Sequence, residues 1–175
     1  EKVDREKFVP PEFKKLAYQN IALPIGYGST ISQPSTIAFM LKQLVLEKSR
    51  RKKLKILEIG SGSGYVLALL EAYGQVLGKE YDIFGIEIVE ELVKRSQSVI
   101  DSSRIHVQQS NGTALDGMYD RILASASFSR KPRHLFQHLA EGGILVCPVQ
   151  ESIFVFSKSK GKILEKEYPG FLFVP

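Results

Sequence analysis

Cysteine is nearly absent from the 175-residue chain and histidine is scarce, with one and three residues respectively. Cys147 therefore has no disulfide partner within the chain, and its Leu145-Val-Cys-Pro-Val149 setting predicts a buried strand. Too few soft ligands remain for a zinc cluster, so the chain is read as metal-free. No apolar run approaches the ~20 residues that cross a bilayer, which excludes a helical span in this sequence. Nothing in it resembles a signal peptide, and the expectation is a cytoplasmic protein without a membrane partner. Internal repeats and low-complexity tracts are also lacking. What is present, 43% apolar and 25% charged residues, suits one globular domain with a full core, here taken as residues 1–175.

The net charge of +5 raises nucleic acid as a partner. Much of the excess sits in Lys48, Arg50, Arg51, Lys52, Lys53 and Lys55, between a predicted helix and a strand. Cations there complement a helix C-terminus and stay solvated. No aromatic side chains interleave with them, as a single-strand binder requires, so no nucleic-acid partner is expected.

Hydrophobic periodicity organises the rest. Pro10 and Pro11 open a predicted helix reaching Tyr18, and the Gly-, Pro- and Ser-rich stretch 21–35 reads as loop. Ile37, Met40, Leu41, Leu44 and Val45 form a helical stripe over 36–48 that signals core packing. Strands at 55–59, 82–87, 105–109, 119–125 and 143–149 alternate with helices at 65–77, 89–100 and 132–139. Ser152–Lys158 and Lys162–Tyr168 form a terminal hairpin turning at Lys160-Gly161. This order predicts a doubly wound α/β fold, Rossmann-like, with a mostly parallel sheet, helices on both faces and an antiparallel C-terminal hairpin.

The first strand runs into Gly60-Ser-Gly-Ser-Gly64 and then a helix. Such a turn lets backbone approach a nucleotide-like ligand closely. The spacing is G-x-G-x-G, with Tyr65 where the dinucleotide fingerprint has its third glycine, and no Gly-Lys-Ser/Thr follows. Glu58, just before the turn, would repel a pyrophosphate but suits a ligand bearing an ammonium and a sulfonium, as S-adenosylmethionine does. Glu87, ending the next strand, can accept both ribose hydroxyls.

Upstream, Leu23-Pro-Ile-Gly-Tyr-Gly-Ser-Thr-Ile-Ser-Gln-Pro-Ser35 combines glycines with hydroxyls at Ser29, Thr30, Ser32 and Ser35. Two readings stand side by side: Ser32 or Ser35 as the N-cap of the following helix, or hydroxyls serving a site.

Four segments occur in the order and approximate spacing of one family: Arg5-Glu-Lys-Phe-Val-Pro10, Leu23–Ser35, Leu57–Tyr65 and Gly85-Ile-Glu-Ile-Val-Glu-Glu-Leu92. The chain resembles the bacterial-type protein-L-isoaspartate O-methyltransferases, as far as Glu141–Val149 and the closing Phe171-Leu-Phe-Val-Pro175. The resemblance implies a class I S-adenosylmethionine-dependent methyltransferase, probed by its product S-adenosylhomocysteine. It would be a monomer acting on isoaspartyl-containing proteins and peptides. It implies Ser32 as the active-site serine, and Thr30, Ile31, Gln33 and Ser35 as lining the cofactor and substrate cleft within an N-terminal segment, 1–35. Glu58, Gly60, Ser61 and Gly62 would border the methionine part, Glu87 would hold the ribose, and Asn111 and Gly112 would meet the adenine. An isoaspartyl α-carboxylate, with a pKa of about 3.5, is already an anion, so no general base is needed. The methyl ester collapses unaided to a succinimide, whose hydrolysis returns some normal aspartate.

The chain departs from the family in places. Ser110-Asn111-Gly112 stands where Gly-Asp-Gly is usual, Val66 replaces a glutamine, and Ser29 replaces the glutamine before Thr30. The Ala124-Ser-Ala-Ser-Phe-Ser-Arg-Lys-Pro132 segment replaces an Ala-rich one. The Gly112–Tyr119 link is short, and an N-terminal helical region has no counterpart. Alternatives are a methyltransferase acting on another carboxylate or on RNA, or a weakly active cofactor-binding interaction module. Leu123–Phe128 lacks the prolines of the Asp/Asn-Pro-Pro-aromatic loop used on amino groups of bases.

Overall fold

A computed structural model describes residues 2–49, 51–112, 115–171 and 173. Its centre is a seven-stranded sheet. The strands are β3 (Lys53–Ile59), β4 (Glu80–Glu87), β5 (Ile105–Gln109), β6 (Tyr119–Ala124), β7 (Leu139–Val149), β8 (Ser152–Ser159) and β9 (Lys162–Pro169), in spatial order β5-β4-β3-β6-β7-β8-β9. β3 to β7 run parallel, while β8 and β9 close the edge as an antiparallel hairpin turning at Lys160 and Gly161, both with positive φ. The chain travels outward from β3 through β4 to β5, then returns to place β6 on the other side of β3. That reversal opens a crevice at the carboxyl ends of β3, β4 and β6, where open α/β sheets bind ligands.

Side chains alternate across the sheet, apart from an irregularity between Tyr119 and Arg121. Leu54, Ile56, Ile83, Leu123, Val146 and Ile153 face a core shared with α1 (Pro34–Gln43), α2 (Tyr65–Val76) and α3 (Glu90–Val99). Leu57, Ile86, Ile122, Leu145, Cys147 and Phe156 face the other side. There the predicted helix 132–139 is a 3-10 segment, Arg133–His138, covering the sheet with Leu135 and Phe136. Among the described residues the three α-helices lie on the first of these faces and the 3-10 segment covers the second, so the doubly wound arrangement holds with a thinner second layer.

Other differences have local causes. The stretch 21–35 is not all loop: β1 (Leu23–Gly26) and β2 (Ser29–Ile31) form a small hairpin whose tip, Gly26-Tyr27-Gly28, has positive φ throughout. Leu23 and Ile25 face the core while Pro24 and Gly26 face out, a period of two too short to stand out in sequence. The Pro10–Tyr18 helix is a 3-10 segment, Pro11–Leu16. α1 ends at Gln43 rather than near 48, because Val45 turns left-handed and cations from elsewhere take the released carbonyls. Arg121 Nε donates to Leu44 O at 2.6 Å, and Lys79 Nζ to Leu46 O at 2.6 Å and Ser49 O at 2.9 Å.

Candidate functional site

Three adjoining spaces occupy the crevice. An inner cavity lies between the turn 60–64, β2 and the start of α1. An edge cavity runs past the end of β4 toward Asn111, and a surface groove lies between Gln33, Phe39 and Phe171. Thr30 and Ser32 line all three.

The turn between β3 and α2 builds the floor. Gly60, Gly62 and Gly64 all have positive φ, and Gly60 and Ser61 donate their N–H groups to Ile86 O. A Cβ on Gly60 would sit 2.9 Å from the Ala126 Cβ, so only glycine lets the turn lie against the loop after β6. Ser61 is buried under the turn and Ile31 closes the inner cavity from β2.

Two carboxylates flank this floor. Glu87 is 6% exposed and is gripped by backbone: Oε2 accepts from Gly62 N at 2.8 Å, and Oε1 from Ile88 N at 2.8 Å and Val89 N at 3.1 Å. It thus shapes the glycine turn and the approach to α3 while bordering the edge cavity. Glu58 is 1% exposed at the inner cavity. Its Oε1 accepts from Ser125 Oγ at 2.6 Å, and its buried Oε2 has no hydrogen-bond partner among the described residues. Burial pushes the Glu58 carboxyl up to about 8; the Ser125 hydrogen bond opposes that rise and the neighbouring Glu87 charge adds to it.

The N-terminal segment is fastened over this floor by Arg5, itself 1% exposed. Its Nε donates to Ala17 O at 2.7 Å and its Nη2 to Ser32 O at 2.8 Å, while the guanidinium lies 4.9 Å from the centre of the Tyr65 ring. Burial lowers its pKa, and Tyr65 opposes that shift. The N-cap reading of Ser32 and Ser35 does not survive: Gln33 is the cap residue of α1, without a capping side-chain bond, and Ser35 lies inside the helix. Asn20 Oδ1 supplies the missing acceptor instead, to Ser35 N at 3.0 Å.

Of the residues singled out in sequence, Thr30, Ile31, Ser32, Glu58, Gly60, Ser61 and Gly62 meet at the inner cavity, and Glu87 and Asn111 at the edge cavity. Gln33 and Ser35 line the adjoining surface groove, together with Thr30 and Ser32. Gly112 is buried behind Asn111, its Cβ position 3.4 Å from Ile86. Sequence reasoning missed Ser125, Ala126 and Arg5; the place of Ser125 just past β6, at the crevice, was the available signal. The basic run is partly neutralised, with Arg51 paired to Asp120, Lys53 to Glu80, and Lys55 Nζ 4.8 Å from the Phe84 and Tyr119 ring centres. Arg50 lies outside the described residues.

The donor set fits S-adenosylmethionine. Among the described residues, two acidic and no basic side chains line the inner and edge cavities, which disfavours a pyrophosphate and suits a cation. The orphaned Glu58 Oε2 is a buried acceptor facing that charge type, and the glycine turn allows the close approach a nucleoside needs.

The comparisons agree over the full length. The family model for protein-L-isoaspartate(D-aspartate) O-methyltransferase (PCMT) matches residues 1–175. Protein-L-isoaspartate O-methyltransferases of Alteromonas mediterranea and Chlorobaculum parvum are 37% and 35% identical, over 98% and 99% of this chain and 82% and 79% of theirs. A Plasmodium falciparum crystal structure described as a protein-L-isoaspartate O-methyltransferase, in complex with S-adenosyl-L-homocysteine, superposes with a TM-score of 0.84. It is 27% identical and covers 99% of this chain and 85% of its own. By sequence over its whole length and by fold, the chain belongs to the protein-L-isoaspartate(D-aspartate) O-methyltransferase family, which is S-adenosylmethionine-dependent.

Proposed function

We propose that the chain methylates the α-carboxylate of L-isoaspartyl residues in damaged proteins and peptides, with Ser32 orienting the acceptor. One observation carries the assignment of Ser32. With Thr30, it lies where the inner cavity, the edge cavity and the surface groove meet, so it can touch both an acceptor entering from the groove and a methyl donor behind it.

S-adenosylmethionine, when bound, supplies a methyl group already activated on a sulfonium. Gly60, Ser61, Gly62 and Glu58 would hold its methionine part, Glu87 its ribose, and Asn111 its adenine end. The chain's own work is then alignment and exclusion of water. The acceptor carboxylate is ionised at neutral pH and needs no base. A single neutral hydroxyl at Ser32 can fix its direction with one hydrogen bond, whereas an arginine clamp would blunt the nucleophile. Arg5, through the Ser32 carbonyl, holds the serine's backbone in place. The surface groove, walled by Gln33, Ser35, Phe39 and Phe171, is the side from which a peptide would enter.

The same reading takes 1–175 as one domain, supported by a core that Phe8, Val9, Leu23 and Ile31 share with the sheet. It takes the protein as a cytoplasmic monomer with no nucleic-acid or membrane partner. No helix of the described residues is long and apolar enough to cross a membrane.

The test is Ser32→Ala, assayed for methyl transfer to an isoaspartyl peptide. Because Ser32 does not cap α1, folding should be nearly unaffected. S-adenosylhomocysteine affinity should hold, while kcat/KM falls about tenfold to a hundredfold, one hydrogen bond of ~1.4–3 kcal/mol in the transition state. Ser32→Thr should recover part of the loss. Normal specific activity in folded Ser32→Ala would defeat the role.

A further inference from the structure

Glu58 projects from the end of β3 into the inner cavity with one oxygen bonded and the other without a partner. Its bonded neighbour is held from two sides. Ser125 follows β6 directly, and its N–H donates to Ile59 O at 2.8 Å, which pins the residue beside β3. Its hydroxyl then reaches the adjacent carboxylate at 2.6 Å.

Among the described residues no cation faces this carboxylate. From β4 it meets Glu87, whose charge opposes its own. The start of α2 contributes Tyr65 to the same cavity, with the Arg5 guanidinium 4.9 Å from its ring centre and bonded to Ala17 and Ser32 instead. The turn contributes Ser61 and Ser63, α1 contributes Ile37 and Met40, and β6 contributes Leu123. A buried carboxylate with one neutral hydrogen bond and no counter-charge rests as the acid. A ligand cation brought against its open oxygen reverses that balance.

We propose that Ser125 is a positioning residue that presents Glu58 Oε2 to the cationic amino-acid end of the cofactor, and that through this pair cofactor binding releases one proton. The inference rests on the cofactor assignment above. The proton leaves the Glu58 carboxyl for solvent, and the carboxylate formed accepts from the ligand's ammonium; no other bond changes. Since burial holds the carboxyl up to about 8, roughly nine molecules in ten carry the proton at pH 7. Ser125 donates to the ionised form and so favours the released state.

The experiment is calorimetric titration of the whole chain with S-adenosylhomocysteine at pH 7, in buffers of different ionisation enthalpy. The wild type should release close to one proton per ligand, and its affinity should rise about ninefold from pH 6 to 7, about fivefold from pH 7 to 8, and then level. 5′-Methylthioadenosine, which lacks the ammonium, should bind without proton release. Ser125→Ala should bind S-adenosylhomocysteine tenfold to a hundredfold more weakly, and Ser125→Thr should bind nearly as the wild type does. In a Glu58→Gln background no proton should be released, and adding Ser125→Ala should cost less than threefold.

A binding enthalpy independent of buffer in the wild type would overturn the inference. So would wild-type affinity in Ser125→Ala, or a Ser125→Ala loss that persists in full in the Glu58→Gln background. A purely structural role for Ser125 would lower stability and leave affinity per folded molecule unchanged. If Ser125→Ala fails to fold, the wild-type proton count and Ser125→Thr decide. Absence of S-adenosylhomocysteine binding would overturn both the cofactor assignment and this inference, whereas tight binding without proton release overturns only the latter.

Discussion

Replacing Glu87 with alanine should damage the ligand-free fold as well as the cofactor site. The carboxylate accepts three backbone N–H groups, from Gly62 at 2.8 Å, Ile88 at 2.8 Å and Val89 at 3.1 Å. Hydrogen bonds to a charged acceptor contribute about 1.5–3 kcal/mol each when buried. Alanine would strand all three donors, but the edge cavity admits water that can re-pair some of them. The net loss should therefore be about 2–4 kcal/mol, well short of the sum. For a chain of this size that is a fall in Tm of about 5–15 °C. Urea denaturation of the ligand-free protein measures the first effect. S-adenosylhomocysteine affinity per folded molecule, expected to fall by about 1–3 kcal/mol through unpaired ribose hydroxyls, measures the second. Stability within about 0.5 kcal/mol of the wild type would refute the reasoning about the turn. Unchanged affinity would refute the ribose assignment.

Glu58→Gln should change how stability follows pH. A carboxyl raised from 4.5 to about 8 in the fold keeps a proton that the unfolded chain loses. Wild-type stability thus falls as pH rises through that window, by up to about 1.4 kcal/mol per unit, and chemical denaturation at pH 6 and pH 8 should find the slope reduced in Glu58→Gln. Asn111→Asp should tighten cofactor binding by about 1 kcal/mol, since a charged acceptor bonds the adenine more strongly, less the cost of desolvating it; equal or weaker binding by calorimetry would point to a rearranged pocket. Gly60→Ala should cost about 2–4 kcal/mol of stability, combining φ of +74° with overlap against Ala126, and a thermal melt close to wild type would count against the turn geometry.

The sheet and the glycine turn were legible because their signals are local. Ile56 to Ile59 followed by Gly60, Gly62 and Gly64 encodes strand, turn and helix within a dozen residues, and the turn adopts the positive φ that glycine permits. The end of α1 was not legible, since Arg121 and Lys79 decide it from 77 and 33 residues away. The hairpin Leu23–Ile31 was hidden for another reason: its strands are short and its Gly and Pro content reads as loop. In the site, Glu58 and Glu87 announced themselves by strand-end position. Their partners did not, because the Ser125 hydroxyl reaches Glu58 across 67 residues and Arg5 reaches Ser32 across 27. The serine in Thr30-Ile-Ser-Gln-Pro34 looked equally suited to capping a helix, and only the placement of Gln33 at the cap and Asn20 against Ser35 separated the two roles.

The most direct measurement uses two peptides of one sequence, differing only in a normal or an isoaspartyl linkage, with labelled S-adenosylmethionine and the wild-type chain. The account predicts base-labile methyl ester on the isoaspartyl peptide alone, followed by succinimide and a fraction of normal aspartate. Cofactor binding without transfer to the isoaspartyl peptide, or equal transfer to both, would contradict it.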